Sequence, residues 1–296
     1  MAKARKTLKH ARSIRSIHAV TGSMEKVATV RFKRAHEHVA SARPYIRRLA
    51  ELVGDLVHRS NGEPLAHPLL AEPDSGCKAD VLLAITSHRG LCGAYNDALA
   101  RIAAERAGQL SEAGYEVLVH AVGKRGTRQL RAKGLRIDRH YADLPHPPEY
   151  PAIAALADEL AGQFLAGKIS GLEVAYMQFV SSGVQKPAVA LILPLSQLAP
   201  PSRFRPVGRE PIPYEIIPST RQLLDRLLPQ MLRLKLYQCF TDAAAAEEIM
   251  RMRAMRLASD NAEEMIHKLT VRYNRQRQSQ ITTELAEIVG GREGVK

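Results

Sequence analysis

Met255-Arg256-Leu257-Ala258-Ser259-Asp260-Asn261-Ala262-Glu263-Glu264-Met265-Ile266-His267-Lys268-Leu269 contains neither proline nor glycine, and residues 255, 258, 262, 265 and 269 are small or apolar. That alternation of three and four is a heptad seam, the pattern of a helix lying along another helix. The spacing continues through Arg272, Gln276, Ser279, Thr283 and Ala286 while the seam turns polar. The tip is therefore expected to meet something other than its partner helix. Upstream, the only proline from Ser219 onward is Pro229, and no glycine occurs before Gly290-Gly291, which is expected to stop the helix. Some 70 residues at ~1.5 Å each would reach roughly 105 Å, too long for a compact domain of this size. Methionines at 250, 252 and 255 read as packing, since a thioether stripe offers no metal geometry.

The other end of the chain supplies the partner. Ile14, Ile17, Thr21, Met24, Ala28, Arg31, Ala35, His38, Ala42, Tyr45, Leu49, Leu52 and Leu56 keep the same strict spacing. A seam this narrow suits a left-handed two-helix contact better than a globular core. The alanines allow close approach, and Pro44 is expected to bend the helix or mark a restart.

Between the two ends the period changes. Residues 80–85, 116–122, 173–180 and 188–193 read as strands; 98–110, 124–132 and 153–166 read as helices. Strands alternating with helices predict a mostly parallel α/β sheet with right-handed crossovers. The fold class expected is thus α/β plus coiled coil: a long antiparallel two-helix coiled coil from the termini, with a Rossmann-like domain inserted. The boundaries expected are 1–59 for the first helix, 78–200 for the α/β domain, 201–218 for a proline-rich linker and 219–290 for the last helix.

Charge narrows the partners. The 296 residues carry 43 Lys plus Arg against 30 Asp plus Glu, a net +13. Residues 1–59 hold 14 basic and 4 acidic side chains, while residues 219–296 hold 13 and 10. The excess sits on the first helix, which points to an acidic partner such as nucleic acid, anionic lipid or an acidic protein surface. With 5% aromatic residues and no tryptophan, base stacking on a single strand has few platforms. No apolar run approaches the ~18 residues of a membrane span. Three cysteines, Cys77, Cys92 and Cys239, make neither a disulfide framework nor a CxxC pair, so a reducing compartment is expected. The basic N-terminus lacks a cleavage site, and no removed leader is expected.

Most chemical sites fail on spacing. No G-x-x-x-x-G-K-[ST] or G-x-G-x-x-G follows the first strand. Thr86-Ser87-His88-Arg89-Gly90-Leu91-Cys92-Gly93-Ala94-Tyr95-Asn96 does follow it, and reads either as a structural turn or as a phosphate cradle at a helix start. Gly123-Lys124-Arg125-Gly126 after the second strand carries the same two readings. Ser87, His88 and Cys92 lack a nucleophile elbow. His36 and His38, two apart on a helix, point about 200° apart and cannot pair on a metal.

Met252-Arg253-Ala254-Met255-Arg256-Leu257-Ala258-Ser259-Asp260-Asn261-Ala262, Tyr273-Asn274-Arg275-Gln276-Arg277-Gln278-Ser279-Gln280-Ile281-Thr282-Thr283-Glu284-Leu285 and Glu287-Ile288-Val289-Gly290-Gly291 resemble the gamma subunit of F-type ATP synthases. The 87–93 loop and Ser23-Met24-Glu25-Lys26-Val27-Ala28 resemble the same family, so the likeness spans the chain. Departures are a shortened stretch at His18-Ala19-Val20-Thr21, Lys26 where a second methionine is usual, and His88 in place of an acid; they suit a divergent or alternative form.

The resemblance implies a rotor shaft, itself non-catalytic, turning inside a ring of alpha and beta subunits and coupling a proton-driven membrane ring to ATP synthesis or hydrolysis. It implies that ATP, ADP and Mg are bound by the partner subunits, with no cofactor on this chain. Epsilon and the membrane c-ring are the implied partners of the α/β domain, and acidic loops of beta those of the basic face. The complex would sit peripherally on the cytoplasmic face of a bacterial plasma or inner membrane, with no nucleic acid bound. The resemblance carries subunit-coupling roles to Met24, Arg251, Arg277, Gln278, Thr282, Glu284 and Glu287, and a turn at the membrane-rotor or epsilon side to Arg89, Gly90 and Gly93. A helix register setting Met24 near Gln278 would also bring Glu25 to Arg277 and His38 to Glu264. A basic helical nucleic-acid-binding protein is the alternative, with an affinity that falls steeply with salt; a small-molecule enzyme lacks a convergent acid, base and phosphate site.

Overall fold

A computed structural model describes residues 2–58, 67–71, 77–197 and 219–293, with side chains except at 2–4, 42, 57–58 and 287–293. Helix α1 runs Ala2–His58 and helix α5 Thr220–Glu293. Between them lie β1 (Ala79–Ile85), α2 (Tyr95–Glu112), β2 (Glu116–Val122), α3 (Thr127–Ala132), β3 (Arg139–Tyr141), α4 (Tyr150–Leu165), β4 (Gly171–Phe179) and β5 (Gln185–Leu193). The expected linker at 201–218 lies outside the described residues. The chain divides into two compact units, residues 31–250 and residues 1–30 with 251–296.

In the larger unit the sheet order is β3-β2-β1-β4-β5, parallel except that β5 runs antiparallel to β4. The apolar run of β1 is central because it is buried on both faces. Val81, Leu83 and Ile85 point to one layer, with Leu156 and Leu160 of α4, Leu49, Val53 and Leu56 of α1, and Leu228 and Leu232 of α5. Leu82 and Ala84 point to the other, against Tyr95, Leu99 and Ala103 of α2 and Leu130 of α3. Strand β3 was not expected: three residues, of which only Tyr141 is half-buried, carry no period, and only pairing with β2 defines them.

Both long helices correct the expected seam in the same sense. On α1, Thr21, Ala28, Leu49 and Leu56 are buried as expected. The alternate positions, however, fall one residue later: Val39, Ile46 and Val53 are buried, while His38 is exposed and Tyr45 is 53% exposed. Ile17, 50% exposed, gives way to half-buried His18. On α5, Met255 and Ala262 hold, but Ser259 and half-buried Ile266, Tyr273 and Gln280 replace Ala258, Met265, Arg272 and Ser279 as the more covered partners. Fixed positions of a heptad can be flanked on either side; in the larger unit the stripe of α1 that meets the sheet decides which, and in the smaller unit the facing helix does.

Two expected breaks are absent: α1 does not restart at Pro44, and α5 does not stop at Gly290-Gly291. Helix α1 is continuous across Pro44, which lines a cavity of about 500 Å³ with Ala40, Leu49 and Leu234. Helix α5 runs through Gly290-Gly291 to Glu293. Glycine costs a helix about 1 kcal/mol and does not by itself end one.

Candidate functional site: the carboxyl edge of the sheet and the paired helices

The loop after β1 is held from three sides. Thr86 extends the ladder, its amide and its hydroxyl both donating to the Val122 carbonyl at 2.9 and 2.6 Å. The Ser87 amide donates to Asn96 Oδ1 at 3.0 Å, Asn96 Nδ2 donates to Ser87 Oγ at 2.7 Å, and the Tyr95 hydroxyl donates to the Ile85 carbonyl. Leu91 (φ 64°) and Gly93 (φ 60°) close the turn in the left-handed region, which strains a leucine. The second glycine pair is explained by packing: a Cβ on Gly126 would stand 2.7 Å from Asn96 Oδ1 and against the Thr86 side chain.

The loop is a cradle, and its anion comes from the chain. The amides of His88 and Arg89 donate to Glu247 Oε2 and Oε1 at 3.3 and 3.4 Å. His146 Nε2 lies 4.0 Å from Glu247 and 3.7 Å from Glu248, and its ring stacks on His88 with centroids 4.7 Å apart. Both carboxylates are buried. Burial pushes the His88 imidazole down to about 4, helped by His146, Lys124 and His140, so it is neutral at neutral pH. His146, Glu247 and Glu248 place one donor atom each within 4.8 Å of one another, a set a divalent cation can use. Both Glu247 oxygens already accept loop amides, so the arrangement works as an internal anion seat.

Helix α5 reaches this seat through an unusual run. Residues 239–249, Cys239 to Ile249, are buried without interruption, including four consecutive alanines at 243–246. Such small side chains let the helix enter the crevice at the carboxyl ends of the strands, where an open α/β sheet usually receives a ligand. On the adjoining side, Arg43 Nη2 donates to the Phe179 carbonyl at 2.6 Å and to Asp242 Oδ1 at 3.3 Å. Phe32, His36 and Phe179 form an aromatic cluster beside it. Burial lifts the Asp242 carboxyl to about 6 against the pull of Arg43. It also pushes the Cys239 thiol up to about 12. With Ser87 and Cys92 buried as well, none of these groups is poised as a nucleophile.

The smaller unit is the helix pair itself. Thr21 Oγ1 and Ser259 Oγ share a hydrogen bond of 2.8 Å, and Thr7 Oγ1 donates to Gln276 Oε1 at 2.9 Å. Facing residue numbers thus sum to 280 and 283, an antiparallel register. Met24, half-buried, therefore faces residues near 257, and Gln278 faces the first residues of α1. The expected Met24–Gln278 register is wrong by about 20 residues, roughly 30 Å at ~1.5 Å per residue. The Glu25–Arg277 and His38–Glu264 pairings fall with it. The error arose because heptads repeat, so periodicity alone cannot distinguish slips of whole heptads.

Of the other expected coupling residues, Arg251 is buried, whereas Arg277, Gln278, Thr282 and Glu284 are exposed. Thr282 Oγ1 donates to the Gln278 carbonyl, and Glu284 accepts from Gln280 Nε2. The side chain of Glu287 lies outside the described residues. Arg89, Gly90 and Gly93 are exposed on the β1–α2 loop. Sequence reasoning missed Glu247, His146, Asp242 and Arg43. An adjacent acid pair ending an alanine run was the available signal for the first.

The family model described as ATP synthase matches residues 3–295. A protein of Rhodopirellula baltica named ATP synthase gamma chain is 36% identical over 298 residues, covering all of both chains. One of Herpetosiphon aurantiacus with the same name is 35% identical over 98% of each chain. Among solved structures, a chain of the Euglena gracilis mitochondrial ATP synthase (OSCP/F1/c-ring) aligns with a TM-score of 0.66 at 14% identity, covering 99% of this chain and 95% of that one.

Proposed function

The chain belongs to the ATP synthase gamma-chain family, and on that premise we propose in detail how it serves as the central rotor shaft and which partners it meets. It is a non-catalytic subunit of the synthase. The observation that carries the detail is the antiparallel pair of α1 and α5 in the smaller unit. Its covered seam is narrow and small, with Ala11, Ala28, Met255 and Ala262 buried. Outside the seam, Ile17, Val20, Val27 and Val30 on α1 and Leu257, Val271, Ile281 and Leu285 on α5 are exposed. So many large apolar side chains on two helices call for a surrounding apolar surface. A ring of alpha and beta subunits is that surface in our reading, with Arg277, Gln278, Thr282 and Glu284 meeting it from α5 and Met24 from α1.

The rest of the assignment follows the same family logic. Epsilon and a proton-driven c-ring take the α/β domain, with Arg89, Gly90 and Gly93 on the exposed turn. Nucleotide and Mg stay with the ring subunits; the filling of the β1–α2 cradle by Glu247 supports this. Among the described residues no helix is long and apolar enough to cross a membrane, which fits peripheral attachment, on the cytoplasmic face, through the complex. The nucleic-acid reading has no support from the relatives.

The test is reconstitution with the cognate alpha and beta subunits. ATP-driven rotation of a probe on the α/β domain, with no ATPase in the chain alone, is the expected result. Full coupled activity of a ring assembled without the chain would refute it.

A further inference from the structure

We infer that Glu247 is a positioning residue for torque: it pins α5 to the α/β domain by sitting as a built-in anion in the β1–α2 loop. The inference rests on the rotor reading, since only a turning shaft loads this joint.

The geometry separates a pin from mere packing. Along residues 239–249 most of the contact between α5 and its surroundings is made by alanine methyl groups and other apolar surface. Smooth apolar contact is non-directional and resists rotation of a helix about its own axis weakly. A carboxylate at about 6 Å from the axis moves by about 1 Å for each ~10° of twist. That displacement is enough to break amide contacts already 3.3 and 3.4 Å long. The loop cannot follow, because Thr86, Ser87 and Asn96 tie it to β2 and α2.

The cost of the arrangement supports the same conclusion. Two neighbouring carboxylates are withdrawn from water on one turn of helix, where apolar residues would pack at less expense. His146 approaches both from the 142–149 connection, and His88 covers it by stacking. The loop after β1, the segment before α4, and α5 therefore meet at one carboxylate. A second directional contact, Arg43 with Asp242 and the Phe179 carbonyl, joins α1, α5 and the end of β4. The two act in parallel, like two springs on one axle.

The experiment uses the reconstituted complex with the shaft stalled by inhibitor, reading the angular variance of a probe on the α/β domain. Glu247→Gln keeps the shape but replaces one acceptor with a donor that faces an amide. Losing one of two parallel pins should raise the variance about twofold, and hydrogen exchange at the His88 and Arg89 amides should quicken at least about tenfold. A core control, Ile192→Val, should leave both unchanged. Wild-type variance and exchange in an assembled E247Q complex would overturn the inference. Should E247Q not assemble, His146→Gln removes the approaching imidazole and leaves Glu247 in place. It is expected to raise the variance by a smaller factor, about 1.5, and a wild-type value there overturns the inference equally. A wild-type complex whose probe never rotates with ATP would instead refute the rotor reading itself.

Discussion

Replacing Asp242 with asparagine should make the protein more stable at pH 8, not less. Asp242 is almost wholly buried, and its carboxyl is lifted from the ordinary 3.8 to about 6, first by burial. The folded state therefore holds the proton more tightly than the unfolded chain does. Stability from this group is full below pH 3.8, falls as pH rises through about 6, and is flat above. At ~1.36 kcal/mol per pH unit the loss by pH 8 is about 3 kcal/mol. Asparagine keeps the shape without the charge. The pull of Arg43 is already contained in that net rise, and Arg43, 42% exposed, retains the Phe179 carbonyl and a neutral side-chain acceptor. D242N should thus gain about 3 kcal/mol at pH 8 and lose that gain on going to pH 4. Burial of His88 acts in the opposite sense, with stability lost as pH falls from 6.5 through about 4. That contribution is common to both proteins and cancels in the difference. Urea unfolding at pH 8, 6 and 4 is the assay, followed by tyrosine fluorescence because the chain has no tryptophan. A D242N protein less stable than the parent at pH 8, or a difference that does not change with pH, refutes the reasoning.

Two further substitutions test the packing. Gly126→Ala places a methyl group against Thr86 and 2.7 Å from Asn96 Oδ1; it should cost about 1–3 kcal/mol in the same urea titration, and a neutral result would mean that the β1–α2 loop yields. Ile46→Ala should cost about 2–4 kcal/mol while Ile17→Ala costs under about 0.5, because only Ile46 lies in the buried seam; equal losses would restore the seam read from periodicity.

The extended helices and the parallel sheet were legible because each follows one strong period. The residue-by-residue seam was not, although Val39, Ile46 and Val53 offered three β-branched side chains seven apart. Tyr45 and Leu52 compete with them for the same turns, and only the sheet decides between neighbours. Register was hidden for a different reason: hydrogen bonds such as Thr21 with Ser259 join residues 238 apart, and nothing local encodes such a pairing. The 87–93 turn was visible in its glycines, but what fills it lies 159 residues away on α5. The structure shows the turn, with a carboxylate of the same chain where the cradle reading places a phosphate. Asp242 and Arg43 carry no local signal, because burial on all sides of residues 239–249 is a property of the crevice.

The buried run of α5 also sets an order of events during synthesis. A ribosome releases α1 first and the strands next, while the segment that fills the mouth of the sheet emerges only in the last quarter of the chain. Until then the crevice and the inner stripe of α1 must stay open to water, with unpaired apolar surface available to other chains. A nascent polypeptide stalled or cut before residue 239 is thus left with an unstoppered sheet, a species suited to chaperone capture and prone to clump, however complete its five strands.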